Sequence, residues 1–470
     1  MKAATPRPKL AVSSDGRGVV GHAGSRLLAD LAEVTGLEAA FVDALAPLRQ
    51  RSGGHPPGRV AVDLAVMLAD GGEAISDLAV LREQVEVFGP VASAPTAWRV
   101  LDRIDAAAIA RLRGARATAR ALAWAQHAEI HGALPQARAA GRAIPGLVLD
   151  IDATIVICHS EKENATPTWK KSFGYHPLLC FLDNSNEALS ALLRPGRAGS
   201  NTAADHIEVL DLALTQIPDV HRHGAPILVR ADTAGCTNAF LTHIRTLRAQ
   251  GVDVRFSVGA PIDEPVREAI RALPPDAWYP ALEADGHVRE GAEVAELTGL
   301  LYGHGANYPA GTRFLVRRER PHPGAQLSLF DTIEGFRHQV IATDTPLGHG
   351  PLTWIEARHR AHARVEDRIR CGKDAGFGRF PSRVFAINAA WLELALTGID
   401  LVCWMQMLLL EGELALAEPK KLRYRLLHVA ARITRSARKT RLRIAEHWPW
   451  AKQLTAAFER LAALPRPITC

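Results

Sequence analysis

The spacing of apolar and polar positions changes twice along this chain. Between Ala23 and about Trp124, apolar residues recur every three or four positions. Examples are "SRLLADLAEVTGLEAAFVDAL", broken at Gly36, and "RVAVDLAVMLADGGEAISDLAVL", broken around Gly71-Gly72. That period predicts short amphipathic helices. A further helix, "SAPTAWRVLDRI", opens on Ser93 and Thr96 and carries Trp98, Arg99 and Arg103. Such a helix after a turn fits a helix-turn-helix reader of DNA, and equally a helical domain that merely packs.

At Ile144 the pattern shortens to that of strands. "IPGLVLDIDATIVICH", "PLLCFLD" (Pro177 to Asp183) and "EALSALLRPG" predict three strands joined as hairpins. A helix "TAADHIEVLDLALTQI", a buried strand "PILVRAD" (Pro226 to Asp232), a helix "NAFLTHIRTLRAQG" and a strand "VDVRFSVG" follow. Periodicity weakens from about Ala260 to Phe336, which predicts a β-rich insertion. "FRHQVIATD" resumes the core as a strand, ahead of one long helix, "TWIEARHRAHARVEDRIRCGKDAG". The segment Val384 to Leu410 is long and apolar enough for a bilayer. Asn388, Glu393, Asp400 and Gln406 within it would each be costly in lipid, so a buried core helix is expected and no membrane partner.

The expected organisation is therefore a flexible lead (1–22), a helical N-terminal region (23–140), a mixed α/β core in two parts (141–259 and 336–410), the β-rich insertion (260–335), and a basic, helical C-terminal region (411–470). A chain of 470 residues exceeds what one core usually holds, in keeping with several parts. Six scattered cysteines without a C-x-x-C pair, and an N-terminus lacking an apolar stretch, point to a reducing cytoplasm. The formal charge of +6 favours a polyanionic partner, and its placement says more. Between Lys420 and Arg443 no acid interrupts ten cations, including Lys420, Lys421, Arg435, Arg438 and Lys439. A solvated charged face usually mixes both signs, so this run reads as a phosphate-neutralising patch.

Chemistry concentrates first in "LVLDIDATIV", where Asp150 and Asp152 share one face of a strand. The local pattern matches a haloacid-dehalogenase-type phosphatase, with Asp150 as nucleophile and Asp152 as acid/base. That chemistry needs a later acidic pair, and the chain has neither a D-D nor a G-D dipeptide. Asp232, ending a buried strand, is placed either to line a cleft or to cap the following helix. On the long helix, His359, His362, Glu366 and Lys373 share one face, flanked by Arg364, Arg368 and Arg370. A carboxylate ringed by cations suits a place where metal and DNA phosphate meet, although a solvated salt-bridge helix has the same composition.

The order of these pieces resembles the ribonuclease H-like core of DDE transposases, most closely the thirteen-eighty group of bacterial insertion sequences, related to the Tn-five type. The hallmark there is Tyr-x2-Arg-x3-Glu-x6-Lys; Glu366 and Lys373 fall in register, with His359 in place of Tyr and His362 in place of Arg. The resemblance implies two Mg²⁺ ions, replaceable by Mn²⁺, held by Asp152, Asp232 and Glu366. Asp150, Lys373, His362 and His359 would support them. It also implies double-stranded DNA as partner (element ends and target) and a homodimer when two ends are brought together. Trp278, in the β-rich insertion, is the candidate to stack a displaced base. A DNA-binding protein that has lost its chemistry through the two His replacements is the competing expectation.

Overall fold

The computed structural model describes residues 10–301, 307–321, 332–333, 335–436 and 439–466. The predicted N-terminal helices form as α1 (Arg26–Val34), α2 (Leu37–Ala44), α3 (Pro57–Ala69), α4 (Ala94–Leu101) and α5 (Ala106–His131). Gly36, at φ 72°, makes the left-handed turn between the first two, a conformation that costs a residue with a Cβ.

The core begins with β1 (Leu147–Ala153), β2 (Leu178–Leu182) and β3 (Ala188–Leu192), followed by α6 (Ala203–Thr215), β4 (Ile227–Ala231), α7 (Asn238–Ala249) and β5 (Val254–Ala260). After α8 (Glu264–Arg271) come β6 (Tyr279–Leu282), β7 (Val288–Glu296), β8 (Arg313–Glu319) and β9 (Phe336–Thr343). These nine strands lie in one mixed sheet in the order β6-β7-β8-β9-β5-β4-β1-β2-β3. Only β1–β4 and β4–β5 are parallel pairs; β2 and β3 return as antiparallel hairpins. The strands of the predicted insertion thus extend the central sheet through β9, which pairs with β8 on one side and β5 on the other.

Period-two alternation gives this sheet two characters. Leu149, Ile151, Val229 and Ala231 pack with Phe240 and Ile244 of α7 in one apolar cluster. Val148 and Leu228 face the other way, toward Trp354 and Ile355 of α9 (Leu352–Arg360). Asp150, Asp152, Arg230 and Asp232 have the same parity as Val148 and Leu228, so the polar residues of both strands meet the helices that follow.

The single long helix predicted from Trp354 is broken. A tight turn at Ala361–Ala363 separates α9 from α10 (Arg364–Gly372), and a widened turn at Lys373–Phe377 ends it with Gly376 at φ 118°. The apolar segment forms α11 (Phe385–Leu409), which alone among the described helices is long and apolar enough to cross a membrane. It lies inside the protein, packed on the N-terminal helices. Its acids are paired there: Glu393 with Arg113 and Arg116, Asp400 with Arg116 and Arg120. Arg120 also reaches Glu187, which accepts from the indole N–H groups of Trp124 at 2.8 Å and Trp404 at 2.7 Å.

The C-terminal region departs from the helical expectation. Its basic run folds as a hairpin, β10 (Ala431–Ser436) and β11 (Lys439–Ile444), before the final helix α12 (Ala451–Ala463). The reason is visible in the alternation: Ile433 sits across from Leu442, and Arg432 from Arg443, which puts Ile433, Leu442 and Ile444 on one face and Arg432, Lys439, Arg441 and Arg443 on the other. Charge masked that period. Val19–Val20, within the expected flexible lead, adds a third strand by pairing with Arg432 and Ala431.

Candidate functional site

The parallel register places Ile227 to Ala231 beside Leu147 to Ile151. One step further on each strand, Asp232 stands at the carboxyl end of β4 next to Asp152 at the end of β1. Asp232 then caps the turn Thr233–Gly235 by accepting from Ala234 N–H at 2.9 Å, so the capping and cleft positions coincide. Gly259 of β5 lets that turn approach; a Cβ there would lie 2.9 Å from Thr233 N. Asp152 lines one cleft of about 530 Å³ with Asp232, Trp169, His176, Arg197 and His206. Asp232 also lines an adjoining cleft of about 540 Å³ with His359, His362 and Glu366.

The electrostatics agree with this convergence. Burial pushes the Asp152 carboxyl up to about 6, and the neighbouring Asp232 and Glu366 carboxylates add to the rise against His362. Three acids in one field, with only oxygen atoms to offer, form a donor set suited to hard divalent cations. Among the described residues, the one set of three with ligand atoms all within 4.8 Å of one another is elsewhere, at His22, Asp70 and His428. There the geometry is that of hydrogen bonds: Asp70 is 2.6 Å from His22 Nδ1 and 3.1 Å from His428 Nε2, and accepts from Ser25 Oγ at 2.5 Å.

Asp150 has a different fate from Asp152. It is fully buried and receives Arg230 Nε at 2.7 Å, Arg230 Nη2 at 2.8 Å, Arg368 Nη1 at 2.8 Å and His362 Nδ1 at 2.8 Å. Burial alone would raise its pKa, yet Arg230 and His362 outweigh it and hold the carboxyl far below the usual carboxylate range. Asp183, at the end of the second strand, joins the same network through Arg230 at 2.9 Å, Arg364 at 3.0 Å and Arg368. A carboxylate enclosed by two guanidinium groups and an imidazole has no face left for nucleophilic attack on phosphorus, so the phosphatase geometry finds no support.

His359 is half-buried, and its desolvation, with His362 and Arg230 adding to it, lowers it to about 3; it is a neutral imidazole at physiological pH. Its Nδ1 lies 3.2 Å from the Ser257 carbonyl oxygen and 3.1 Å from Ser257 Oγ. Lys373 donates to the Ile155 carbonyl at 3.0 Å, just beyond β1, and burial lowers it with Lys170 beside it. Arg364 and Arg368 are thus tied into the Asp150–Asp183 network, while Arg370 pairs with Glu418 at 2.9 Å on the surface.

Other predicted residues lie further out. Trp98 on α4 borders a separate cleft with Lys162 and Arg379, and the Arg99 side chain donates to the Pro95 carbonyl. Trp278 has the Arg318 guanidinium 4.0 Å from its ring centre. Lys420 pairs with Asp374 and Arg435 with Glu86, while Lys421 and Lys439 are exposed. Arg438 lies outside the described residues. Sequence reasoning passed over Arg230, Asp183 and Trp169. The first had a signal, because a charged residue inside the apolar run "PILVRAD", two before Asp232, must share its face.

The class defined by this arrangement is a mixed α/β protein with a large central sheet, carrying a carboxylate-lined cleft beneath a cation-rich helix. The chain belongs to the DDE transposase family: the family described as Transposase DDE domain group 1 matches residues 2–466. No curated protein matches the chain. Among solved structures, the piggyBac transposase synaptic complex with hairpin DNA is similar at 9% identity and a TM-score of 0.38, over 86% of this chain and 79% of that one.

Proposed function

We propose that this chain is the transposase of a bacterial insertion sequence, of the thirteen-eighty group and related to the Tn-five type. In this reading β1 to β5 form a ribonuclease H-like core, and Mg²⁺ ions are held by Asp152, Asp232 and Glu366. The protein binds the terminal repeats of its element in the cytoplasm, cleaves there and joins the ends to target DNA, as a homodimer that holds two ends together. The observation that carries the reading is the meeting of Asp152, Asp232 and Glu366, from two parallel strands and a later helix, around adjoining clefts.

When bound, the cations supply charge neutralisation at the phosphate and a more acidic water. The protein's own part is positioning. Asp150 fixes His362 and Arg368, and through them α10, so Glu366 is presented from a rigid element. Lys373, held just beyond β1 by the Ile155 carbonyl, would supply a cation to a phosphate at the active site. Neutral His359 adds no charge to the wall.

The test is incubation of element-end DNA with Mg²⁺ and either wild type or Glu366→Ala. The expected result is strand cleavage by wild type, reduced at least about a hundredfold in the variant, as for loss of a charge-stabilising group. Cleavage untouched by the substitution would overturn the three-acid assignment. Binding without cleavage by wild type would identify the inactive DNA-binding protein instead.

A further inference from the structure

The connection between β1 and β2 is folded and pinned. Val156–Ile157, Thr166–Pro167 and Phe173–Tyr175 form a small antiparallel sheet of their own. Its backbone packs so closely against its neighbours that a Cβ on Gly174 would fall 2.3 Å from the Val156 carbonyl oxygen. One on Gly196 would fall 2.4 Å from the carbonyl oxygens of both Gly174 and Thr166. The tip, Thr168 to Ser172, is closed by Thr168 N–H on the Ser172 carbonyl at 2.7 Å and by a 2.9 Å contact between their hydroxyls. Arg197, on the facing loop, donates its N–H to Thr166 Oγ1 at 2.7 Å.

This tip carries Trp169, which is 74% exposed although it forms part of the wall of the cleft that holds Asp152 and Asp232. Lys170 Nζ lies 5.0 Å from the indole ring, and Arg197 lines the same cleft. A broad aromatic face, fixed in solvent by a pinned turn and flanked by cations, is the chemistry that takes a nucleobase: the ring stacks on any base while the cations hold its phosphates. A paired base inside a duplex offers no free face, so the occupant has to be unpaired.

We infer that Trp169 is a base-stacking residue that receives an unpaired nucleobase beside the cleft lined by Asp152 and Asp232, with Lys170 and Arg197 on that base's strand. This rests on the proposed DNA-processing role and adds which DNA feature the cleft wall selects. Trp278 is not required for it.

The experiment uses the full chain in Ca²⁺, to hold DNA without turnover, and two fluorescent probes. One is a blunt duplex of about 30 base pairs; the other is the same duplex with a short single-stranded tail bearing 2-aminopurine at the junction. Wild type is expected to bind the tailed probe about tenfold more tightly than the blunt one and to quench the 2-aminopurine. Trp169→Ala should lose both the preference and the quench; Trp169→Phe should keep them. Tail preference and quench surviving in Trp169→Ala, or absent from wild type, would overturn the inference while leaving the DNA reading in place. Failure of wild type to bind either probe would overturn both.

Discussion

Two carboxylates two positions apart in one strand, Asp150 and Asp152, have opposite energetic roles. Asp150 anchors a buried cation network, and Asp150→Ala would leave Arg230, Arg364 and Arg368 sharing Asp183 as their one remaining anion. Losing one partner of a buried pair costs about 3–5 kcal/mol, so urea unfolding should report a fall of that order. Asp152 carries the reverse sign. Its folded value of about 6 exceeds the value of 3.8 taken for the free side chain, so the folded chain binds that proton more tightly than the unfolded one. Stability of the metal-free protein therefore falls as pH rises between those values. Asp152→Asn should raise stability at pH 8 by on the order of 1–2 kcal/mol, with the gain vanishing below about pH 4. A melting temperature for Asp152→Asn equal to wild type at both pH values would refute this. The three candidate acids could be picked out in the sequence because each stands at a strand end or on a helix face of plain periodicity. Trp169 was not, because "ENATPTWKKSFG" has no period and its place on the cleft wall depends on a close backbone packing that sequence does not display.

At the scale of elements, the placement of core strands and of most helices followed from period and length, while the order of the strands in the sheet did not, and the exceptions have identifiable causes. The basic C-terminal run looked helical by composition, but Ile433, Leu442 and Ile444 alternate with cations, and alternation decides. The helix bearing Glu366 looked continuous because a turn at Ala361–Ala363 leaves residues on nearly the same face, so no sequence signal marks it. A hairpin rather than a helix alters what the cations can reach: Arg435, Lys439, Arg441 and Arg443 are exposed on a ribbon, a shape that enters a DNA groove edge-on. Replacing Lys439 and Arg441, which share the cationic face, by Ala should weaken duplex binding for all sequences alike. The slope of log affinity against log salt should also fall by about 2, close to 0.9 per phosphate contact. An unchanged slope would place the DNA on another face.

The whole molecule is closed by contacts between distant parts of the chain. Arg120, Glu187 and Asp400 tie the helical region to the sheet, and the His22–Asp70–His428 clasp ties the N-terminal segment to the approach of the hairpin. Hydrogen bonding to Asp70 holds His428 above its ordinary value. A protonated His428 therefore stabilises the clasp fully below about pH 6.5, and that contribution is lost as pH rises through the raised folded value. Amide exchange across Ala431–Ile444, corrected for intrinsic rate, should accelerate between pH 6 and 9 in wild type, and Asp70→Asn should remove the dependence. The three-stranded sheet built from Val19–Val20 and the hairpin also imposes an order on synthesis. A nascent chain halted after Val429 already holds all three acids and the strands beneath them, while its first segment has nothing to pair with. Protease cutting within residues 10–22 of such a truncated chain, at sites protected in the full one, would show that this sheet closes only once Ala431–Ile444 has been made.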